Sequence, residues 1–261
     1  ELPLIFRAKI NPEKKSGAVH MKLMVINRDC DVERYDSFCQ MNGSIADIGR
    51  FSAIDGQTLD MQELQSAGLI APDLCYSRGA VGSALSHILL WNAVVENEQA
   101  VSIFEDDAIL SSNFQEESKR IIESLENEWD IILWGYNYDV NLVFDLLPGV
   151  TYCVANFNQT LMRLGVERYR SRPVNASPFK LFKALGICGY AISPKGARRL
   201  LDLCLPLQDA EYWHRRTNET LRNTSLDHVM CHHYEKIDAF CCFPSLCISR
   251  NEHAKSTIIN S

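Results

Sequence analysis

The sequence predicts an α/β fold with a single, mainly parallel twisted sheet that is flanked by helices. Short apolar segments alternate along the chain with segments of helical periodicity. Several of the apolar segments end in polar or acidic residues, as strands do at the ligand-binding edge of such sheets. The 261 residues are 46% hydrophobic, which is enough for one large core, and they contain no internal repeat.

The first elements follow this alternation. Residues 22–27 form an apolar run that predicts a strand, and its polar ending, Asn27-Arg28-Asp29, begins a loop. Residues 31–41 have the mixed polarity of a helix, and residues 50–56 predict a second short strand followed by a turn. From Ser83 onward the apolar residues recur at helical spacing, so a buried helix is expected to begin there, capped by the Ser83 hydroxyl.

The later elements continue the pattern with one interruption. Residues 99–104 predict a strand, residues 111–127 a capped helix and residues 130–134 another buried strand. Residues 163–183 carry six basic side chains against the single acidic Glu167, and we interpret them as an irregular, cationic excursion from the core. Residues 189–193 predict a strand, and Pro194 then begins a helix that extends to residue 204.

Composition and charge exclude several classes of function. The chain has 33 acidic and 26 basic side chains and a formal net charge of −7, which disfavours a nucleic-acid partner. No segment approaches the roughly 20 apolar residues of a transmembrane helix. Residues 1–20 lack the apolar core of a secretory signal. We expect them to be an N-terminal extension or a non-native tail, ahead of one domain over residues 21–261.

The cysteines and the glycosylation sequons bear on the cellular compartment. Ten cysteines lie in ordinary apolar segments, which predicts free thiols in the core of a protein from a reducing compartment. Five Asn-x-Ser/Thr sequons would be used only in a secretory lumen. The expected location is the cytoplasm, either free or peripheral at the inner membrane, in preference to a secretory lumen.

The triplet Glu105-Asp106-Asp107 is the sharpest chemical signal. Hard divalent cations prefer carboxylate oxygens, and at a strand end the alternate residues Glu105 and Asp107 share a face. A cation that bridges these carboxylates and a diphosphate would neutralise both. The alternative is a solvated acidic turn. Because the triplet directly follows a predicted buried strand, we favour a metal site at the rim of a cleft.

Several separate segments together indicate a family. They are Val25-Ile26-Asn27-Arg28, Ala53-Ile54-Asp55-Gly56, Gly82-Ser83-Ala84-Leu85-Ser86-His87 with Trp91, Phe104-Glu105-Asp106-Asp107-Ala108, Gly189-Tyr190-Ala191-Ile192-Ser193, Leu226-Asp227-His228 and Phe243-Pro244-Ser245-Leu246. In content and order they resemble glycosyltransferase family 25, which comprises lipooligosaccharide galactosyltransferases and related collagen galactosyltransferases. The resemblance implies a GT-A type fold, a glycosyltransferase domain over residues 21–261, a UDP-sugar donor, and Mn²⁺ or Mg²⁺ held by the acidic triplet.

The resemblance also implies roles for individual residues. Asp107 is the preferred direct metal ligand, whereas Glu105, which departs from the family's Asp, acts through water or holds the ribose. The nucleotide is expected to contact Asn27, Arg28, Asp55, Gly56, Glu105 and Asp106, although Asp55-Gly56 alone would be an ordinary turn. Asp227 is the candidate base and His228 the histidine that completes the metal site, and these two roles are interchangeable at this stage. His87 is either a cleft residue that contacts donor phosphate or sugar, or a hydrogen-bonded core histidine.

The expected function is therefore that of a metal-dependent inverting galactosyltransferase acting on a saccharide or glycolipid acceptor such as lipooligosaccharide. Asp227 would deprotonate the acceptor hydroxyl, as displacement at an anomeric carbon requires. Two alternatives stay open, a metal-dependent phosphohydrolase or nucleotidyltransferase and a non-catalytic saccharide-binding or effector module. The basic residues from Arg163 to Lys183 additionally suggest peripheral contact with an acidic membrane surface.

Overall fold

The computed structural model describes residues 21–126 and 128–250. The strands in chain order are β1 (Lys22–Asn27), β2 (Gly49–Ser52), β3 (Val101–Glu105), β4 (Ala108–Leu110), β5 (Ile131–Gly135), β6 (Leu142–Leu147), β7 (Thr151–Ala155), β8 (Ser177–Lys183), β9 (Gly189–Ile192), β10 (Glu211–His214), β11 (Glu219–Arg222), β12 (Ala239–Phe243) and β13 (Cys247–Ser249). The helices are α1 (Val32–Asn42), α2 (Met61–Ser66), α3 (Arg78–Asn97), α4 (Phe114–Ser124), α5 (Gln159–Leu164), α6 (Val166–Arg170), α7 (Pro194–Cys204) and α8 (Leu226–His233). The predicted extension, residues 1–20, lies outside the described residues.

Nine strands form one central sheet in the order β2-β1-β3-β9-β5-β12-β8-β6-β7. The α/β class and the single sheet flanked by helices are confirmed, but the expectation of a mainly parallel sheet is wrong. Within the described residues, β1 runs parallel to β2 and β3, and β5 runs parallel to β12. The remaining pairs in the sheet are antiparallel. A strand that is buried on both faces has the same composition in either direction, so the sequence pattern could not decide this point.

The sheet separates two apolar cores. Along β5, Ile131 and Leu133 pack into one core, while Ile132 and Trp134 pack into the other. This follows from the alternation of side chains along a strand. Helices α3, α7 and α8 cover the first core, and α1 and α4 cover the second. The strand ends are therefore held rigidly from both sides.

Helix α3 begins earlier than predicted. It starts at Arg78, and the hydroxyl of Ser77 caps it by accepting a hydrogen bond from the amide of Ala80 at 3.1 Å. Ser83 lies inside the helix rather than at its cap. Small residues such as Gly79 and Gly82 in the first turns hide the helical periodicity, which explains the late predicted start. Helix α7 is as predicted, with Ser193 as its cap and Pro194 in its first turn.

The basic stretch is not an irregular excursion. Residues 163–183 contain the end of α5, the helix α6 and the strand β8, which pairs with β12 inside the central sheet. Most of the basic side chains in this stretch pair with other groups of the protein. Lys183 is buried in an ion pair with Glu219, Lys180 donates to the carbonyl of Ile237 at 2.8 Å, and Arg170 pairs with Glu167 at 3.0 Å. Arg168 and Arg172 are exposed.

Among the described helices, none combines the length and the apolar character that crossing a bilayer requires.

Candidate functional site

A cavity of about 800 Å³ opens where β1 and β3 end. These strands are parallel, with Ile26 opposite Glu105, so the loops that follow them leave the same edge of the sheet. The cavity brings together residues that are far apart in the sequence. Nine of the ten predicted site residues line it: Asn27, Arg28, Gly56, His87, Glu105, Asp106, Asp107, Asp227 and His228.

Asp55, the tenth predicted residue, stands beside the cavity rather than in its lining. Its carboxylate accepts a hydrogen bond from the amide of Gln57 at 3.0 Å and so caps the short 3₁₀ turn Gly56–Thr58. The guanidinium of Arg28 lies 4.0 Å away from it. In this structure Asp55 thus has the turn chemistry that was the alternative interpretation of Asp55-Gly56.

The carboxylate of Asp106 is fully engaged within the protein. One oxygen accepts the side-chain amide of Asn27 at 2.8 Å, and the other forms an ion pair with Arg34 from α1. The pair joins α1 to the end of β3. Asp106 therefore organises the wall of the cavity, and Arg34 neutralises its charge.

Asp107 has the opposite environment. Its Oδ2 accepts a hydrogen bond from the hydroxyl of Ser249 at 2.7 Å, whereas its Oδ1 is buried without a hydrogen-bond partner. Asp107 as a whole residue is partly exposed, but its Oδ1 atom is shielded from solvent. Burial, together with the negative charge of Glu105, raises the pKa of Asp107 to about 6. A buried carboxylate oxygen without a partner is costly unless a ligand completes it.

The oxygen ligands around Asp107 fit a hard divalent cation for which a substrate supplies some of the remaining ligands. Asp107 and Glu105 are adjacent carboxylates, and oxygen is the ligand that Mn²⁺ and Mg²⁺ prefer. Among residues 21–126 and 128–250, no group of three or more His, Cys, Asp or Glu side chains is arranged around a common metal position. Mg²⁺ commonly binds through one or two carboxylates and completes its shell with water and substrate phosphates.

A chain of buried hydrogen bonds runs from Trp91 through Tyr190 to His87, which lies next to Glu105. The Tyr190 hydroxyl accepts the Trp91 indole N–H at 2.8 Å and shares a second hydrogen bond with Nδ1 of His87, also at 2.8 Å, whose direction depends on the imidazole tautomer. The other ring nitrogen of His87, Nε2, lies 3.9 Å from the carboxylate of Glu105. His87 is 1% exposed yet lines the cavity, so it combines the core and the cleft interpretations.

Asp227 and His228 lie together at the first turn of α8. Asp227 accepts hydrogen bonds from the amide of Gly186 at 2.8 Å and from the hydroxyl of Ser225. Gly186 has φ +80, and a side chain there would overlap Asn137. The Nδ1 of His228 donates to the carbonyl of Arg222 at 2.7 Å, which leaves its Nε2 lone pair free to accept a proton or bind a metal.

The predicted nucleotide loops are organised by internal contacts. The Asn27 side chain donates to Asp106 and to the carbonyl of Asp31, and it accepts from Arg50 at 3.0 Å, so it holds the loop together. Arg28 makes a bidentate pair with Asp31, at 2.6 and 3.0 Å, and keeps 27% of its side chain exposed. It is a cation on the cavity wall.

The role of Gly56 is close packing. A Cβ atom at Gly56 would lie 1.8 Å from the carbonyl oxygen of Arg78, and one at Gly82 would lie 2.6 Å from the amide nitrogen of Gly56. The loop and the first turns of α3 therefore contact each other through their backbones. Both glycines are needed for this contact, which sets the position of the loop at the cavity.

Sequence reasoning missed two residues that shape the acidic site. Arg34, on α1, pairs with Asp106 from 72 residues away, and Ser249, in β13, donates to Asp107 from 142 residues away. A charged residue on an amphipathic helix and a serine in a short strand are ordinary features of a sequence. Only the meeting of these elements at one sheet edge gives them a role.

Known proteins resemble the chain in sequence. The profile of "Glycosyltransferase family 25 (LPS biosynthesis protein)" matches residues 21–213. The "Inactive glycosyltransferase 25 family member 3" of Homo sapiens is 28% identical over 153 residues, which are 53% of this chain and 24% of that protein. The "Lipooligosaccharide biosynthesis protein lex-1" of Haemophilus influenzae is 28% identical over 130 residues, 48% of this chain and 37% of that protein.

A further relative is the "Procollagen galactosyltransferase 1-A" of Xenopus laevis, which is 27% identical over 163 residues, 58% of this chain and 23% of that protein. The matched regions thus span between 23% and 37% of the lengths of these three relatives. The family profile, in contrast, covers most of this chain, including both strands that end at the cavity and the acidic triplet. The chain belongs to glycosyltransferase family 25.

Proposed function

We propose that the protein is a metal-dependent inverting glycosyltransferase that transfers galactose from UDP-galactose to a saccharide acceptor such as lipooligosaccharide. The observation that carries the proposal is the cavity of about 800 Å³ that is lined by both the Asp107 carboxylate and the Asp227–His228 pair. Such a cavity offers a position for a cation at one wall and a candidate base at another. It is also large enough for a nucleotide sugar.

The acidic side of the cavity would hold the donor. Asp107 and Glu105 would bind Mn²⁺ or Mg²⁺, with water and the donor phosphates completing the coordination shell. His228 lines the same cavity, but within the described residues it is not grouped with these two carboxylates around a common metal position. When bound, the cation supplies positive charge to the diphosphate that leaves. Arg28 and Arg250 also line the cavity and add positive charge for the same group. Asp106 and Asn27, which are engaged with Arg34 and Arg50, would keep this side in place.

Asp227 is the proposed base. Hydrogen bonds from Gly186 and Ser225 fix the direction of its carboxylate, and each oxygen retains a lone pair. In the proposed step the acceptor hydroxyl loses its proton to Asp227 while its oxygen forms a bond to C1 of the sugar. The bond between C1 and the phosphate oxygen breaks, UDP leaves with the electron pair, and the configuration at C1 inverts.

The choice of galactose is supported by the Xenopus relative, a procollagen galactosyltransferase, and the choice of acceptor by the Haemophilus relative, a lipooligosaccharide biosynthesis protein. A reducing compartment, the cytoplasm, forms part of the proposal because all ten cysteines are free and six of them are buried. Two of the five sequon asparagines, Asn42 and Asn223, are also buried, so they could not be glycosylated in the folded protein.

The test is UDP release in the presence of Mn²⁺, a panel of UDP-sugars and candidate saccharides. Asp227→Asn should lower kcat at least about 100-fold, the usual contribution of a general base, while thermal stabilisation by Mn²⁺ and UDP-galactose persists. Asp107→Asn should lose both the UDP release and the thermal stabilisation by Mn²⁺ and UDP-galactose. Asp73→Asn, an exposed aspartate outside the cavity, is the matched control and should behave as wild type. Full activity of Asp227→Asn would exclude this residue as the base.

The non-catalytic module is the second candidate, because the human relative carries the description "inactive". It predicts stabilisation by a UDP-sugar or a saccharide without UDP release from any donor. A phosphohydrolase or nucleotidyltransferase would instead release phosphate or pyrophosphate, and Mn²⁺ with other phosphate compounds would stabilise it better than Mn²⁺ with UDP-sugars. The same assay panel therefore separates all three functions.

Peripheral membrane contact is a further part of the proposal. Leu161 and Leu164 on α5 are 65% and 79% exposed, and the exposed Arg168 and Arg172 follow shortly after them. Exposed apolar and cationic side chains together favour an anionic lipid surface. Sedimentation with phosphatidylglycerol vesicles should weaken when both arginines are replaced by Gln. Equal sedimentation with neutral and anionic vesicles would contradict the contact.

A further inference from the structure

An exposed tryptophan stands on the hairpin of β10 and β11. Trp213 is 57% exposed, whereas Trp91, Trp129 and Trp134 are at most 3% exposed. A tryptophan in water forgoes the large stabilisation that its burial would provide. The preceding residue, Tyr212, is less exposed, because its ring stacks on His232 with ring centroids 4.2 Å apart. Trp213 therefore points to the outer face of the hairpin.

The outer face surrounds Trp213 with polar groups. Trp213 lies opposite Thr220, and Glu211 lies opposite Arg222, so the four side chains share one face of the two-stranded sheet. The guanidinium of Arg222 is held by the carboxylate of Asp209 at 3.0 and 3.1 Å, and 55% of the Arg222 side chain stays exposed. Arg222 is a diagonal neighbour of Trp213, at about 7 Å in such pairs.

This face continues into the catalytic cavity. The Arg222 guanidinium contacts the sulfur of Cys75 at 3.2 Å, and Cys75 lines the cavity. The carbonyl of Arg222 accepts the hydrogen bond from His228 that orients this histidine in the cavity. Arg222 thus borders both the cavity and the outer face that carries Trp213.

We propose that Trp213, with Arg222 and Asp209, is a saccharide subsite that binds the acceptor next to the reacting sugar. The apolar C–H face of a sugar ring would pack on the indole, and its hydroxyls would pair with the guanidinium and the carboxylate. On this face the indole is bordered by the polar side chains of Glu211, Thr220 and Arg222, a surround that suits a saccharide better than the contiguous apolar area of a protein-binding patch. The inference rests on the proposed function and specifies where its acceptor binds.

The subsite can be tested directly because Trp213 is a selective probe. The chain has four tryptophans, of which three are buried, so acrylamide should quench mainly the fluorescence of Trp213. Loss of the quenchable component in Trp213→Phe verifies the assignment. The probes are lactose, maltose and the saccharide released from a lipooligosaccharide. At saturation at least one of them should shield Trp213 from acrylamide in the wild-type protein.

Arg222→Gln should raise the half-saturating saccharide concentration about tenfold or more, because hydrogen bonds to a charged group are lost. Val150→Ala is the matched surface control, since Val150 is 78% exposed and lies in the turn between β6 and β7, outside the cavity lining. It should retain the wild-type midpoint. Shielding that is equal in wild type and Arg222→Gln would overturn the assigned subsite.

A parallel measurement on the wild-type protein separates this inference from the proposed function. Stabilisation by Mn²⁺ and a UDP-sugar, with UDP release, but no shielding of Trp213 by any of the three probes would overturn the subsite alone. Shielding without donor stabilisation or UDP release would support the subsite and replace the transferase by the saccharide-binding module. If neither response is seen, both the subsite and the transferase are contradicted.

Discussion

Replacing Asp107 by Asn should stabilise the metal-free protein. The pKa of this carboxyl rises from an ordinary 3.8 to about 6 in the folded state because the group is buried next to Glu105. Each tenfold change in acid dissociation corresponds to about 1.4 kcal/mol, so ionised Asp107 costs about 3 kcal/mol of folding free energy at neutral pH. Asn removes this cost, keeps an acceptor for Ser249, and leaves one amide donor without a partner at about 1 to 2 kcal/mol. The net gain should be about 1 to 2 kcal/mol.

The effect of pH has a defined sign. Since the pKa of Asp107 is higher in the folded state, the folded protein binds the extra proton, and the resulting stabilisation is complete below about pH 4. It is lost as pH rises through about 6. Urea unfolding in EDTA at pH 7.5 and at pH 5 should therefore show a difference between wild type and Asp107→Asn that shrinks or reverses at the lower pH. Mn²⁺ with UDP should stabilise the wild type only.

Asp106→Asn is the matched control, since it removes the adjacent charge from a paired environment. It removes the carboxylate that pairs with Arg34 and should destabilise the protein by about 1 to 3 kcal/mol under the same conditions. The two variants thus change stability in opposite directions. A destabilised Asp107→Asn in EDTA at pH 7.5 would refute the assignment of Asp107 as a carboxylate that is held at a cost for a ligand.

Three further predictions concern the groups around the cavity. Tyr190→Phe removes the hydroxyl that bonds the Trp91 indole N–H and Nδ1 of His87. It should lower the free energy of unfolding, measured in urea, by about 1 to 3 kcal/mol. An unchanged urea midpoint would contradict the hydrogen-bond chain. Gly82→Ala places a Cβ against the backbone of Gly56 and Ile54 and should both destabilise the protein by about 1 to 3 kcal/mol and weaken UDP binding measured by calorimetry. Burial, with nearby lysine charges, lowers the pKa of His214 and of His233 to about 4, so their contribution to stability is complete above about pH 6.5 and is lost as pH falls towards 4. In the Asp107→Asn background, the urea midpoint should be lower at pH 5 than at pH 7. Adding His214→Phe should make this difference between the two midpoints smaller.

The local pattern of the sequence predicted much of the fold and the composition of the cavity wall. The strand over residues 22–27 and the helix that Pro194 begins are confirmed because apolar periodicity and capping residues act over a few residues. The polar residues at strand ends were also expected to meet at one edge, and those after β1 and β3 do. The late residues Asp227 and His228 were placed with them only by resemblance to the family.

The direction of the strands and the state of each charge depend on tertiary contacts. The strand β9 lies antiparallel between β3 and β5, which no local feature of Gly189–Ile192 indicates. The three carboxylates of the triplet look alike in sequence, yet Asp106 is paired with Arg34 while Asp107 is buried with an open oxygen. Local sequence features were enough to place many of the strands and helices and to put acids at a strand end, but they missed α6 and β8 in the basic stretch. Which acid is paired and which keeps an open oxygen depends on the folded structure, because desolvation and pairing involve groups brought from distant positions in the chain.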